Sequence, residues 1–173
     1  MDFELHPRLV PVTAPVGDFP LCRVLLFDER RLPWLMLVPR RPGAGALLDL
    51  TAAERAQLME ELALVGEALT RLFRPLRLNV ADIGNRCPQL HVHVVARFAS
   101  DPFWPAVAWS RMPYQRYEDD ERMDRLKNIA CALRADSRFR TMCDGAAPLH
   151  RQRLTAHAEG WTIDGPAEAD LRS

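Results

Sequence analysis

The stretch "PQLHVHVV", residues 88–95, sets two of the chain's five histidines two residues apart within an apolar run. A strand built only for packing would carry Val or Ile at positions 91 and 93. Side chains of a strand alternate between faces, so Leu90, Val92, Val94 and Ala96 form one wholly apolar face suited to a core. Gln89, His91, His93 and Val95 share the other face. Successive side chains on it lie about 7 Å apart, at ~3.3 Å of rise per residue. A polar row backed by a hydrophobic layer is a rigid mount for chemistry.

Three uses of the histidine pair compete. The rings can be polar groups on the solvent side of a sheet, because a short motif is only a hypothesis. They can share a Zn or Fe ion, but such a site needs a third ligand. Asp82 and Cys87 stand in no recognisable ligand spacing, and His6, His150 and His157 lie in segments with no sign of meeting the sheet. The third use is nucleophilic. A neutral imidazole attacks with one ring nitrogen when the other keeps its proton and donates it to a fixed acceptor, often a backbone carbonyl. The second histidine then hydrogen-bonds the phosphate or leaving group. Phosphoryl chemistry suits this arrangement, since its catalysis is mostly positioning and charge stabilisation. This use requires the ring of His91 to face a cleft.

The rest of the chain bounds the options. A length of 173 residues fits one domain with some chain left over. Hydrophobic residues at 48% and charged residues at 27% are ordinary for a soluble globular protein. The formal net charge of +0 supplies no global field to gather nucleic acid or anionic membrane, although a local phosphate site needs only a few donors. No apolar run approaches the ~20 residues that cross a bilayer. The N-terminal MDFELHPRLV has an acid at position 2 and no apolar core, unlike a secretory signal. The four cysteines are scattered without a CxxC pair, which points to reduced thiols and a cytoplasmic location.

Local signals lay out the elements. Residues 1–20 carry four prolines and read as an irregular arm. Residues 21–28 and 34–38 read as an antiparallel strand pair, the second stopped by Pro39. A connection rich in Gly and Pro leads to Thr51-Ala-Ala-Glu54, a capping box. Leu58, Leu62, Val65, Leu69 and Leu72 follow as one apolar stripe on a helix of about five turns. Pro75 ends it. Residues 76–83 read as a strand, 84–88 as a tight turn and 89–96 as the histidine strand. "DPFWPAVAW" (101–109) reads as a surface loop. Residues 117–135 read as a second helix, with four acids at its positive end and Met123, Leu126, Ile129 and Leu133 on one face. Residues 137–173 read as a loosely held tail.

"QLHVHVVAR" resembles the motif of the histidine triad (HIT) superfamily, His-φ-His-φ-His-φ-φ with φ hydrophobic. On that motif His91 matches the middle histidine, the family's nucleophile, and His93 the third. Gln89 stands where the first histidine belongs, as in a bacterial subgroup of small HIT proteins. Arg97 falls where many members have a basic residue. "LMLVPRRP" and "LLDLTAAERAQL" are similar to the family's segments that lead into its long helix. The resemblance covers about residues 20–98, and it implies a HIT domain over 1–136 with a C-terminal tail over 137–173.

The resemblance implies an α+β fold, with a five-stranded antiparallel sheet, a long helix and a C-terminal helix, usually paired as a homodimer. It implies hydrolysis or transfer at the α-phosphorus of a nucleotide through a nucleotidyl-histidine intermediate, with no obligatory metal or cofactor. Substrates typical of the family are diadenosine polyphosphates, adenosine phosphoramidates and aminoacyl adenylates. His91 would attack, and His93 would hydrogen-bond a phosphate oxygen or ribose hydroxyl. Gln89 would hold a bridging or leaving oxygen, without a titrating proton to give. Asp28 would bind the ribose hydroxyls, against a plain turn-initiating role. Asn85 would donate to phosphate, against a purely conformational turn role. Phe27 would line the base pocket, against simple core packing. Two rivals stay open: a nucleotide sensor with no turnover, and a metal-dependent enzyme using the His-x-His pair.

Overall fold

The computed structural model describes residues 3–109 and 113–142. Its strands are β1 (Thr13–Asp18), β2 (Cys22–Phe27), β3 (Trp34–Pro39), β4 (Arg77–Asp82), β5 (Val92–Arg97) and the two-residue β6 (Arg140–Thr141). Its α-helices are α1 (Ala52–Phe73) and α2 (Asp119–Leu133). The strands form one sheet in the order β4-β5-β3-β2-β1-β6, and every neighbouring pair is antiparallel. The expected five-stranded sheet is therefore present as β1–β5, and β6 extends it by a sixth strand.

Two of these strands correct the sequence reading. Residues 13–18, expected to be irregular, pair with β2, and a bulge between Pro15 and Gly17 shifts their register. Beyond β2, β1 meets only β6, at Gly17 and Asp18, so Pro15 sits where its missing N–H breaks no ladder. Arg140 and Thr141, within the stretch expected to be loosely held, join the sheet; residues 143–173 lie outside the described residues. Gly17 makes this join possible. A Cβ there would come within 2.4 Å of the Arg140 carbonyl and 2.5 Å of the Phe139 ring.

The apolar face of the sheet packs on both helices. Val24, Leu26, Leu35, Leu37, Leu90, Val92 and Val94 share one core with Leu58, Val65 and Leu69 of α1 and Ile129 and Leu133 of α2. Helix α1 starts where the capping box puts it: the Glu54 amide donates to Thr51 Oγ1 at 3.3 Å, and the Thr51 amide to Glu54 Oε2 at 2.8 Å. It closes on Arg74 in the left-handed region, just before Pro75. The stripe is shifted from its expected ends. Leu72 is partly exposed, and Met123 on α2 is 61% exposed. A carboxylate of α1 also enters the core. Glu61 is fully buried and accepts the backbone amides of Leu21 at 2.9 Å and Cys22 at 2.8 Å, with Gln57 donating from one turn away. It satisfies donors at the entry to β2 that would otherwise be orphaned.

Among the described residues, no helix is long and apolar enough to cross a membrane.

Candidate active site

Strand β5 begins at Val92, later than the sequence reading placed it. The Leu90 amide donates to the carbonyl of Ala44, not to a sheet neighbour, so the chain enters the strand from a loop. Gly45 allows this approach, since a Cβ there would lie 2.8 Å from the carbonyl oxygen of Pro88. The alternation of faces holds regardless. Leu90, Val92 and Val94 pack under the helices, and Val95 packs on the opposite face.

That opposite face is also covered, but not by helices. Leu25, Phe27, Trp34, Met36, Val38 and Val95 of the sheet form a second apolar cluster, joined by Leu9, Leu32, Cys87, Phe103 and Ala108. The N-terminal segment and the connection between β5 and α2 therefore roof the histidine side of the sheet. Arg97 anchors the connection. Its guanidinium, 1% exposed, pairs with Asp101 at 2.8 and 3.0 Å and donates to Asn79 and the Ala106 carbonyl. Asp101 accepts the amides of Phe98 and Phe103 in return.

His91 and His93 meet with ring centroids 5.0 Å apart and the rings steeply inclined. Their Nδ1 atoms face opposite kinds of partner. Nδ1 of His91 lies 2.7 Å from the backbone carbonyl of Gln89. A carbonyl only accepts, so this nitrogen carries a proton, and in the neutral ring Nε2 keeps its lone pair. Nδ1 of His93 lies 2.9 Å from the indole nitrogen of Trp34. An indole N–H only donates, so this nitrogen is bare, and in the neutral ring Nε2 carries the proton. Burial pushes the His93 pKa down to about 3, helped by the nearby His91, so that ring is neutral at ordinary pH.

The residues are 6% and 7% exposed. Among the described residues neither Nε2 has a hydrogen-bond partner. The pair thus sets one bare nitrogen beside one N–H, neither bonded to another described group. The cleft expected beside His91 is not among the hollows of the described residues, and the pair is largely covered. Two hollows elsewhere measure about 150 Å³, between Leu64 and Leu133, and about 300 Å³, beside Leu21 and Gln57; neither touches the histidines.

Among the described residues, Phe27 is linked to the pair through Trp34 and Gln89 through its carbonyl, while no contact ties Asp28 or Asn85 to it. Phe27 packs against Trp34 with the rings tilted and centroids 4.5 Å apart, and meets Tyr114 edge-on at 5.0 Å. Asp28, at the end of β2, accepts the Tyr117 amide at 3.0 Å, and its other oxygen lies 3.8 Å from Arg116. Asn85 is exposed in the turn after Gly84, whose φ is +62°. Gln89 reaches away from the bound carbonyl: its Oε1 accepts the His6 amide and its Nε2 donates to the Glu4 carbonyl, both at 2.9 Å. One amide hydrogen of Gln89 stays uncommitted.

Three neighbours of the site escaped sequence reasoning. Trp34 reads as a strand residue, and nothing local shows that it bonds His93. Trp109, 6.4 Å from the His93 ring, and Tyr114, 5.9 Å from Trp34, sit in a segment with no periodicity. Their aromatic, Pro-rich surroundings were the only signal. Among the described residues no group of three or more His, Cys, Asp or Glu is placed to hold a metal.

A long helix and a C-terminal helix on one face of an antiparallel sheet, with paired imidazoles on the other, define a HIT-like α+β protein. A HIT domain model matches residues 12–100, and the chain belongs to the HIT family. The match begins near β1, ahead of the first residue that the motif-based resemblance covers. Among solved structures, a histidine triad protein from Bradyrhizobium japonicum is 38% identical, with 77% of this chain and 99% of that one covered and a TM-score of 0.74. A histidine triad protein from Marinobacter aquaeolei VT8 is 32% identical over 78% and 98%, with a TM-score of 0.75. A hypothetical histidine triad nucleotide-binding protein from Sulfolobus tokodaii shares the fold at 18% identity over 71% and 85%, with a TM-score of 0.57. Comparison with curated proteins found no match.

Proposed function

We propose that the protein hydrolyses or transfers at the α-phosphorus of a dinucleoside polyphosphate or nucleoside phosphoramidate, with His91 as nucleophile. The observation that carries this reading is the 2.7 Å contact from His91 Nδ1 to the Gln89 carbonyl, which leaves Nε2 as a lone pair. In the first step that lone pair forms an N–P bond. The bond from phosphorus to the bridging oxygen or nitrogen breaks, and the leaving group departs with its electrons. The proton on Nδ1 stays, and the Gln89 carbonyl shares the positive charge that develops on the ring. In the second step water attacks phosphorus and gives up a proton to solvent, the N–P bond breaks with its electron pair returning to Nε2, and His91 returns to its neutral form. His93, through its Nε2–H, stabilises charge on a phosphoryl oxygen.

Phe27 flanks the base, Asp28 accepts from the ribose, and the exposed Asn85 turn offers amides to phosphate. Gln89 takes the place of the first histidine. Its one uncommitted amide hydrogen can hold an oxygen but cannot protonate a leaving group. General-acid assistance is worth about 10²–10⁴-fold, so this enzyme works slowly or on substrates with good leaving groups. The Sulfolobus relative's description as nucleotide-binding agrees with the substrate class. A homodimer and a cytoplasmic setting fit the same reading.

The test is acid-free quenching of the protein with a labelled adenylate donor, followed by mapping of the adduct. Label on His91, absent in His91→Asn, is the expected result. AMP binding with no label on residue 91 would instead support a nucleotide sensor, a reading favoured by the commitment of Gln89's side chain to the N-terminal segment.

A further inference from the structure

We infer that Trp34 is a positioning residue that holds His93 in the tautomer able to donate from Nε2. The inference rests on the role proposed above for His93 as a hydrogen-bond donor to phosphate.

A free neutral histidine exchanges between two tautomers, and only one of them places a proton on Nε2. Here the choice is made by a donor that has no other chemistry. The Trp34 indole N–H reaches His93 Nδ1 at 2.9 Å, and both groups are buried. The opposite tautomer would set an N–H against an N–H and leave the indole without an acceptor, which burial makes costly. The indole cannot easily turn away. Phe27 packs on it at 4.5 Å, Tyr114 meets it edge-on at 5.9 Å and Trp109 at 6.5 Å.

The sheet register makes the contact. Met36 on β3 is the direct partner of His93, and Trp34 is the partner of Val95. Trp34 is therefore diagonal to His93 on the same face, within reach of a long aromatic side chain. The result is a division of labour between two adjacent imidazoles. The Gln89 carbonyl makes His91 a nucleophile at Nε2, and the Trp34 indole makes His93 a donor at Nε2. Giving either ring a partner of the other kind would invert that ring's role alone.

The test uses the full chain, labelled with ¹⁵N, and long-range proton–nitrogen spectra of its histidines at pH 7. In the wild-type protein His93 should show a bare Nδ1 and a protonated Nε2, and His91 the reverse. Addition of AMP should shift the His93 Nε2–H. Trp34→Phe should give a tautomer mixture at His93 and leave His91 unchanged. Met36→Leu, which disturbs packing beside His93 without touching the indole bond, should keep the wild-type pattern. Turnover of a diadenosine polyphosphate should fall at least about 10-fold in Trp34→Phe, mostly in kcat, toward the 10²–10³-fold cost of losing one anion-stabilising donor.

A wild-type His93 protonated at Nδ1 overturns the inference, and so does a pure Nε2–H tautomer surviving in Trp34→Phe. An Nε2–H indifferent to AMP, or undiminished turnover once the tautomer is lost, also overturns it. A Trp34→Phe chain that fails to fold leaves the wild-type spectra and the AMP titration to decide. If the wild-type tautomer and AMP shift hold while no substrate turns over, the proposed hydrolase activity fails and the positioning role stands on the spectra.

Discussion

Gln89 faces two ways: its backbone carbonyl lies 2.7 Å from His91 Nδ1, while its side-chain amide clasps the backbone of Glu4 and His6. One residue thus sets the proton on the proposed nucleophile and seats the N-terminal segment beside it. The backbone part survives any substitution at 89; the side-chain part does not.

His91→Asn should therefore fold normally and lose about 10³-fold or more of turnover, since it removes the nitrogen on which the proposed covalent intermediate forms. Steady-state assays beside a urea denaturation curve check this. A variant retaining more than about a tenth of wild-type turnover would remove His91 from the chemistry.

Gln89→Ala should lose both bonds to the arm and cost about 1–2 kcal/mol of stability. Gln89→His, which completes the three-histidine motif, should not restore the clasp. A neutral imidazole has its single donor and single acceptor on separate nitrogens, and cannot serve two adjacent backbone groups as a primary amide does. Limited proteolysis within residues 3–9 should be faster in both variants; unchanged cleavage would show that the clasp holds nothing.

The pH dependence of stability should carry the signature of His93. Its pKa is depressed to about 3 by burial and then by His91, while an unfolded histidine titrates near 6.5. Above pH ~6.5 the ring is neutral in both states, and its contribution is fully present. As the pH falls from about 6.5 toward 3, the unfolded chain takes up a proton that the folded chain refuses, so stability declines. The slope from this residue is about 1.4 kcal/mol per pH unit at most. Urea denaturation at pH 7 and pH 5 should show a smaller acid loss in His93→Gln than in the wild type.

Asp101→Ala should destabilise the chain by about 3–5 kcal/mol, because it strands the buried guanidinium of Arg97 and two backbone amides. The same change should loosen the connection that brings Trp109 to the His93 ring, and AMP binding by calorimetry should weaken. Arg97→Met with Asp101→Leu removes both charges and should recover much of the stability. A double variant as unstable as Asp101→Ala would place the cost elsewhere.

Much of this molecule is legible locally. The Thr51–Glu54 cap, the α1 stripe, the β2–β3 pair and the two faces of the histidine strand each depend on residues a few positions apart, where periodicity and capping chemistry act directly. Motif and order together also pointed to the family. Strand β1 was hidden because Pro15 argues against a strand until the bulge and the nearly unpaired edge are known. Glu61 was hidden because its acceptors face amides some forty residues away in sequence. The tautomers were hidden for the same reason in sharper form. Sequence placed an imidazole at 93, but whether that imidazole gives or takes a proton at Nδ1 is decided by an indole 59 residues earlier, brought across by the register of β3 on β5. Chain periodicity sets which way a side chain points; only the packed sheet sets what it meets there.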